Sequence, residues 1–226
     1  IHPNDLYLIF QQLLGGWPIR GSTDGFADRL KGAMQKSLRE ARQRSDWGVN
    51  NSAYEAAVDA FIDTALQHEG FLENFHAVRD FFVEIGCRKG LIQIALKLTI
   101  PGVPDIYWGA EDWAQSFVDP DNRRPVDFDD LSRRLAEPDE GLDAKLRLTQ
   151  TLLRFRRDRA DLFRRGDYEP IGAGPDVFAF RRRLEGQCLE VAADLTPGHA
   201  AGLGHLHLKG ETIFGRPEGP IWITAL

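Results

Sequence analysis

The stretch from Tyr107 to Phe128, YWGAEDWAQSFVDPDNRRPVDF, gathers most of the side chains in this 226-residue chain that could handle a polyhydroxylated ligand. Trp108 and Trp113 offer apolar ring faces suited to the C–H faces of sugars, and Tyr107 adds a third aromatic. Glu111, Asp119, Asp121, Asn122, Arg123 and Arg124 supply fixed donors and acceptors for hydroxyl edges. The planar fork of an arginine can hold a carboxylate or bridge two hydroxyls. The same residues have a plainer reading. DPDN is a good turn sequence, because Asp and Asn bond their own backbone and Pro fixes φ. Arg123 or Arg124 then pairs with Asp119 or Asp127 to brace the loop. On that reading the tryptophans pack into a core, and Glu111 is a hydrogen-bond partner rather than a proton-transfer group. Residue types alone leave both readings open.

Other reactive chemistry is sparse. The six histidines (His2, His68, His76, His199, His205 and His207) show no metal-ligand spacing on a helix, and no metal site is expected. His205-Leu206-His207 reads as the exposed polar face of a strand. The sequence holds no GxSxG, no phosphate-binding loop and no GxGxxG. Two cysteines, Cys87 and Cys188, lie about 100 residues apart and read as buried free thiols in a reducing, cytoplasmic setting. The net charge of −6 and the dispersed basic residues argue against a nucleic-acid binder. No apolar run approaches the roughly 20 residues that cross a membrane, so no membrane association is expected.

The elements that must position the central stretch can be read from periodicity. Residues 1–86 form a helical region of three helices after a short opening one. Leu6, Ile9, Phe10, Leu13 and Leu14 recur at helical spacing, with Asn4 or Asp5 able to cap and Gly15-Gly16 as the stop. Asp24 to Gln43 and Ser52 to Gln67 follow as amphipathic helices. A fourth runs from Gly70 to Gly86 with a packing stripe of Phe71, Phe75, Phe81 and Phe82. Residues 87–163 hold a buried helix over Leu91 to Thr99, a Pro101-Gly102 break and a short strand from Val103 to Tyr107. The loop and a final helix over Leu142 to Arg159 complete that region. Residues 164–226 carry Val177 to Phe180, Cys188 to Ala192 and Ile221 to Ile223 between Gly/Pro turns, the pattern of a small antiparallel β domain. The predicted class is α+β: mostly helical, with the last βα step of a barrel followed by that β domain. The chain opens without Met and enters helical periodicity almost at once, so it reads as the remainder of a longer polypeptide.

The run LKLTIPGVPDIYWGAE resembles the last helix and eighth strand of the α-amylase superfamily barrel, where a PGVP–IY–G–E pattern closes the sheet. Within that superfamily it is most similar to the maltooligosyltrehalose synthase family, whose hallmark VDPDNRRPVD stands here as Val118 to Asp127. NDLYLIFQQLLGGWP (Asn4 to Pro18) and MQKSLREARQRSDW (Met34 to Trp47), with Asn51 and Tyr54-Glu55, also match that family in order. The resemblance covers residues 1–128. It departs at Trp108, Ala110 and Ala114, where the family has Gln, Thr and Asp.

The resemblance implies an enzyme that turns the reducing-end α-1,4 linkage of a maltooligosaccharide into an α,α-1,1 linkage by double displacement. It implies no cofactor. The nucleophile, the acid/base and the third carboxylate would lie upstream of Ile1, so no residue here is expected to be catalytic. Tyr107, Trp108, Glu111, Trp113, Asp119, Asp121, Asn122, Arg123 and Arg124 would shape the sugar subsites. Two other readings remain: a non-catalytic glucan-binding or split-enzyme subunit, and an α-glucan hydrolase. An open strand edge in so partial a barrel would also invite association with another chain.

Overall fold

The computed structural model describes residues 1–137, 139, 141, 143–196 and 202–226, and His199 lies outside them. The chain divides into two compact units. The first comprises Ile1–Val83 and Ala114–Val126, the second Glu84–Trp113 and Asp127–Leu226.

The first unit is helical. Helix α1 spans Pro3–Gly16, α2 Phe26–Ala41, α3 Ser52–Gln67, and α4 runs over Glu69–Thr99, its first half in this unit. The start of α1 differs from the expected capping. His2 is the N-cap, its ring accepting from the Asn4 N–H, and Pro3 fills the first helical position where no donor is needed. Asp5 is released for other work. Its carboxylate accepts from Arg44 Nε and Nη2 at 2.5 and 2.8 Å and from the Tyr54 hydroxyl at 2.6 Å. Glu55 is held alike, taking both forks of Arg39 at 2.8 and 2.7 Å and the Ser45 hydroxyl at 2.5 Å. Between these clasps lies a core of Ile9, Leu13, Phe26, Leu30, Met34, Leu38, Val58, Ile62 and Phe75. The apolar stripes that periodicity marked on α2 and α3 are largely buried. The expected packing stripe of α4 is buried only in part: Phe75 is in the core and Phe71 packs against it, while Phe81 and Phe82 are exposed, as is Phe10 of α1.

The expected break between Gly86 and Leu91 does not exist, and α4 is one helix of 31 residues. Residues 86–91 contain neither Pro nor a capping residue, and isolated glycines weaken a helix by only about 1 kcal/mol each.

In the second unit, helices α5 (Phe128–Ala136), α6 (Ala144–Asp158) and α7 (Ala160–Arg165) join the second half of α4 and a five-stranded antiparallel sheet. Its strands are β1 (Asp167–Ile171), β2 (Val177–Leu184), β3 (Gln187–Asp194), β4 (Glu211–Gly215) and β5 (Ile221–Ala225), in the order β1-β2-β3-β5-β4. Strand β3 is buried almost throughout. Leu189, Val191 and Ala193 face Ile92, Ile94, Leu98, Leu148, Leu152 and Leu162 in the larger core, while Ala192 faces Leu203 and Leu206. A central strand covered on both sides loses the polar alternation of a half-exposed one. The outer strands β1 and β4 are mostly exposed and carry too weak a pattern to be read in sequence. Pro170 of β1 is tolerated there as it would not be in the middle of a sheet.

Two expected strands are absent. Val103 to Tyr107 is extended, but among the described residues no strand pairs with it, and Val103 is 99% exposed. A buried-strand sequence becomes a strand only where neighbours supply the ladder. His205 and His207 lie in a loop rather than on a strand, and no metal-binding cluster occurs among the described residues. Cys188 is buried, Cys87 only half so, and they are not joined to each other. No described helix is long and apolar enough to cross a membrane.

The second unit turns on Arg182 of β2, which is only 2% exposed. Its guanidinium donates to the carbonyls of Asp167, Thr99, Leu162, Phe163 and Gly166 at 3.0–3.4 Å. Replacing Arg182 by Met should cost about 3–5 kcal/mol, because carbonyls at the ends of two helices lose their donor together. Lys should lie between. Urea unfolding measures this, and a Met variant within about 0.5 kcal/mol of the parent means that water serves the carbonyls instead.

Glu55 provides a pH test of the first unit. The Arg39 hydrogen bonds, against a smaller opposing effect of burial and helped by Ser45, hold its carboxyl down at about 2 from the usual 4.5. A depressed carboxylate adds stability above its unfolded value, lost as pH falls from about 4.5 towards 2. Glu55→Gln should therefore be less stable at pH 7 and show a flatter acid limb in that window. Parallel pH–stability curves for the two proteins contradict this assignment.

Candidate functional site

The central segment is shared by the two units, which divide its residues at Trp113 and Ala114. Each half has its own anchor.

In the first unit the anchor is Arg29 of α2. It offers Nε and Nη2 to the two carboxylate oxygens of Asp121 at 2.8 and 2.9 Å, and Nη2 also reaches the Gln115 carbonyl at 2.7 Å. Asp121 further accepts the Phe117 N–H at 2.7 Å. Burial alone would push the Asp121 carboxyl up. The hydrogen bonds of Arg29 and Phe117, with the charges of Arg29 and Arg124, outweigh it and leave the group below the ordinary carboxylate range. Phe117 lies against Gly16 so closely that a Cβ there would stand 2.3 Å from its ring. Pro120 follows a cis peptide bond from Asp119, and Asp121–Arg123 make one 3₁₀ turn. Arg123 pairs with Asp119 at 2.5 Å, Arg124 with Asp121 at 3.1 Å, and Lys36 donates to the Asp119 carbonyl at 2.8 Å. Asp127, the other expected brace partner, instead caps α5 through the Asp130 N–H at 2.8 Å. Asp28, Gly32 and Ala33 of α2 and Val118 to Asp121 line a small pocket of about 240 Å³. The Asn122 Oδ1 is buried with no hydrogen-bond partner among the described residues.

In the second unit the anchor is Arg134 of α5. It is 8% exposed, binds Asp112 at 2.7 Å and Asp143 at 2.5 Å, and so ties the loop to the start of α6. Burial would weaken its hold on a proton, but Asp112 and Asp143 more than reverse that and keep it firmly charged. Trp113 is half-buried against Gly90 of α4, where a Cβ would fall 2.8 Å from the indole. Lys145 Nζ sits 5.4 Å from the Trp113 ring centre and donates to the Asp112 carbonyl at 2.7 Å. Burial pushes the Lys145 ammonium down in proton affinity, with Asp112 opposing. The Glu111 Oε2 is buried without a partner among the described residues. Tyr107 and Trp108 are 51% and 62% exposed, and Trp108 lies 6.2 Å from Phe128, ring centre to ring centre.

The predicted residues therefore differ in what they do. Asp121 and Trp113 are committed to holding the segment in shape. Tyr107 and Trp108 present open aromatic faces, and Glu111 and Asn122 keep unspent acceptors. Arg29, Arg134 and Phe128 were not singled out by sequence reasoning. Arg29 lies 92 residues from Asp121 along the chain and Arg134 stands on a helix that periodicity did not mark, so neither pairing had a signal in the sequence.

No family model matches the chain. A Mycobacterium tuberculosis protein named as a maltooligosyl trehalose synthase is 37% identical over 191 residues, which are 77% of this chain and 23% of that protein. A Sulfolobus tokodaii structure of the same name superposes with a TM-score of 0.76 at 32% identity, covering 86% of this chain and 27% of the other. The chain is homologous to a stretch of maltooligosyl trehalose synthase. A solved glycosyltrehalose synthase agrees over more of the fold, with a TM-score of 0.78, 27% identity, and 97% of this chain against 31% of that one. The chain thus spans about a quarter of the length of the curated relative.

Loss of the Arg29 fork should leave the Asp121 carboxylate with only the half-exposed Arg124 and the Phe117 N–H as partners, at a cost of about 2 kcal/mol. Arg29→Met should then open the segment and raise the rate of tryptic cleavage between Arg123 and Arg124 at least about tenfold. Unchanged cleavage would show that the Arg123–Asp119 pair and the Phe117–Gly16 packing suffice.

Proposed function

We infer that this chain forms part of an enzyme that isomerises the reducing-end α-1,4 linkage of maltooligosaccharides to an α,α-1,1 linkage. The nucleophile and acid/base carboxylates of that reaction belong to an upstream part of the polypeptide. The homology to maltooligosyl trehalose synthases carries the reading, and the state of the local carboxylates supports it. Asp121, Asp119 and Asp112 are each held by an arginine. A general acid must be able to carry a proton near neutral pH, and the hydrogen bonds of Arg29 and Phe117 pull Asp121 the other way against its burial.

The contribution of this chain is to hold and orient sugar. Tyr107 and Trp108 provide ring faces for stacking, and their openness supports that role. The unspent oxygens of Glu111 and Asn122 suit sugar hydroxyl donors, since buried acceptors seldom remain unpaired. Arg123 and Arg124 are 70% and 47% exposed at the side chain and retain N–H groups beyond those in their ion pairs. In double displacement the glucose released by the first step must turn and attack before water does. An aromatic shelf beside the leaving unit favours retention of that glucose. Trp108 in place of the family's Gln gives a larger shelf and one amide fewer. The substrate would be met in the cytoplasm, without metal or organic cofactor.

The test uses the protein encoded by the whole reading frame, incubated with maltopentaose while reducing ends are followed. They fall when a 1,1 linkage forms and rise on hydrolysis. A rise assigns a hydrolase, and no change assigns a binding subunit. Either result overturns the reading. Trp108→Ala should shift the balance towards free glucose and hydrolysis, with a KM increase of about tenfold, or 1.4 kcal/mol of stacking. The 226-residue chain alone should convert nothing.

A further inference from the structure

One cleft of the second unit lies apart from the segment treated above, and nothing in the proposed reaction uses it. It has a volume of about 540 Å³ and lies between the β4–β5 hairpin, the first turn of α6 and Leu91 of α4. Its floor is apolar, made by Leu91, Ile213, Phe214 and Ile221. Two arginines line it, Arg147 from α6 and Arg216 from the β4–β5 turn, and among the described residues no Asp or Glu does. Neither guanidinium takes part in an ion pair or side-chain hydrogen bond among the described residues. Two like charges on one concave wall repel each other, and a bound anion removes that cost.

The backbone adds to the same field. Helix α6 begins at Ala144 on the cleft wall, and Asp143 before it makes no side-chain cap. The Asp143 carboxylate is turned to Arg134 and to the Asp139 N–H, so its charge is neutralised away from the helix start. The positive end of α6 is therefore left uncapped beside Arg147. The hairpin turn is fixed by Gly215, whose φ of +76° and approach to the Ile221 carbonyl exclude a side chain. Its backbone is held by Arg216 N–H to Ile221 O at 3.2 Å and Gly219 N–H to Arg216 O at 3.0 Å. Arg216 thus springs from a rigid turn, with its side chain uncommitted.

We propose that this cleft is a binding site for a small phosphomonoester, its phosphoryl group between Arg147 and Arg216 and its organic body on the apolar floor. The fork of each guanidinium matches two oxygens of a phosphoryl dianion. A bare inorganic ion would fill only a small part of 540 Å³, a volume within the ordinary range for small-molecule sites. The C–H face of a phosphorylated hexose suits a floor of Ile213, Phe214 and Ile221. The site does not depend on the isomerase reading, and its test measures binding rather than turnover.

Isothermal titration of the full chain with glucose 6-phosphate, inorganic phosphate and glucose separates the possibilities. Glucose 6-phosphate should bind at or below about 1 mM, at least tenfold more tightly than inorganic phosphate, with no heat from glucose. Arg147→Met with Arg216→Met should lower that affinity at least tenfold while the far-ultraviolet dichroism and melting midpoint stay those of the parent. The double lysine variant guards against misfolding, because it keeps both charges and should retain part of the binding. Equal affinity for phosphate and glucose 6-phosphate, binding of glucose alone, or binding unchanged in a folded double Met variant would each overturn the proposal.

Discussion

One buried guanidinium sets the architecture of the second unit. Among the described residues Arg182 has no carboxylate partner, and its charge is met by five backbone carbonyls. Thr99 ends α4, Leu162 and Phe163 belong to α7, and Gly166 and Asp167 lead into β1. The carbonyl ends of helices carry partial negative charge and lack intrahelical donors. A cation at the meeting of two such ends answers both shortages at once, which explains how a charge can be buried without an anion. The nearby Arg156 repeats the device on Leu98 and Gly102. Burial pushes both arginines down in proton affinity, with mutual repulsion adding for Arg156, yet arginine remains charged under such pressure. The end of α4 is thereby joined to α7 and β2 at one point, and the apolar faces of α6 and β3 close around it.

The loop segment obeys a related rule with carboxylates in place of carbonyls. Arg134 in one unit and Arg29 in the other each take an acidic residue of the segment, Asp112 and Asp121, by ion pairs at 2.7 and 2.8 Å. Each half also seats one aromatic on a glycine, Trp113 on Gly90 and Phe117 on Gly16. A residue with any side chain at either glycine would displace the ring. An irregular segment with few backbone ladders of its own acquires a definite shape in this way. Rigid placement matters for sugar recognition, because each hydroxyl bond is weak and selectivity depends on donors and acceptors being fixed before the ligand arrives.

Local elements were legible in the sequence, while what they pair with was not. Helices over Phe26–Ala41, Ser52–Gln67 and Ala144–Asp158 follow from apolar spacing, and β2, β3 and β5 from short apolar runs between turns. The family was legible because VDPDNRRPVD is long and unusual. Three kinds of feature were hidden. Val103 to Tyr107 has the composition of a strand, but pairing is a property of two segments and no described strand pairs with it. The join of Gly70–Gly86 to Leu91–Thr99 was masked by two glycines inside the helix, Gly86 and Gly90, of which Gly90 seats Trp113 and neither marks a break. The anchors Arg29, Arg134 and Arg182 read as solvated charges, since nothing in a helix or strand pattern separates an exposed arginine from one that is 2% exposed.

Under the proposed function, the same anchors explain why a loop so rich in acid groups suits holding better than proton transfer. Transfer to a glycosidic oxygen needs a carboxyl that is protonated when the bond breaks, and burial without a cation nearby is the usual way to secure it. Asp121 has burial and a cation together, and the cation prevails. Asp112 and Asp119 have their own arginines. What distinguishes Glu111 is an oxygen that is buried and has no hydrogen-bond partner among the described residues, near Lys145, whose ammonium burial pushes down in proton affinity. An acceptor left open in such a place fits a donor that arrives from outside, and a sugar hydroxyl is a neutral one that leaves the charge balance of Lys145, Asp112 and Arg134 undisturbed.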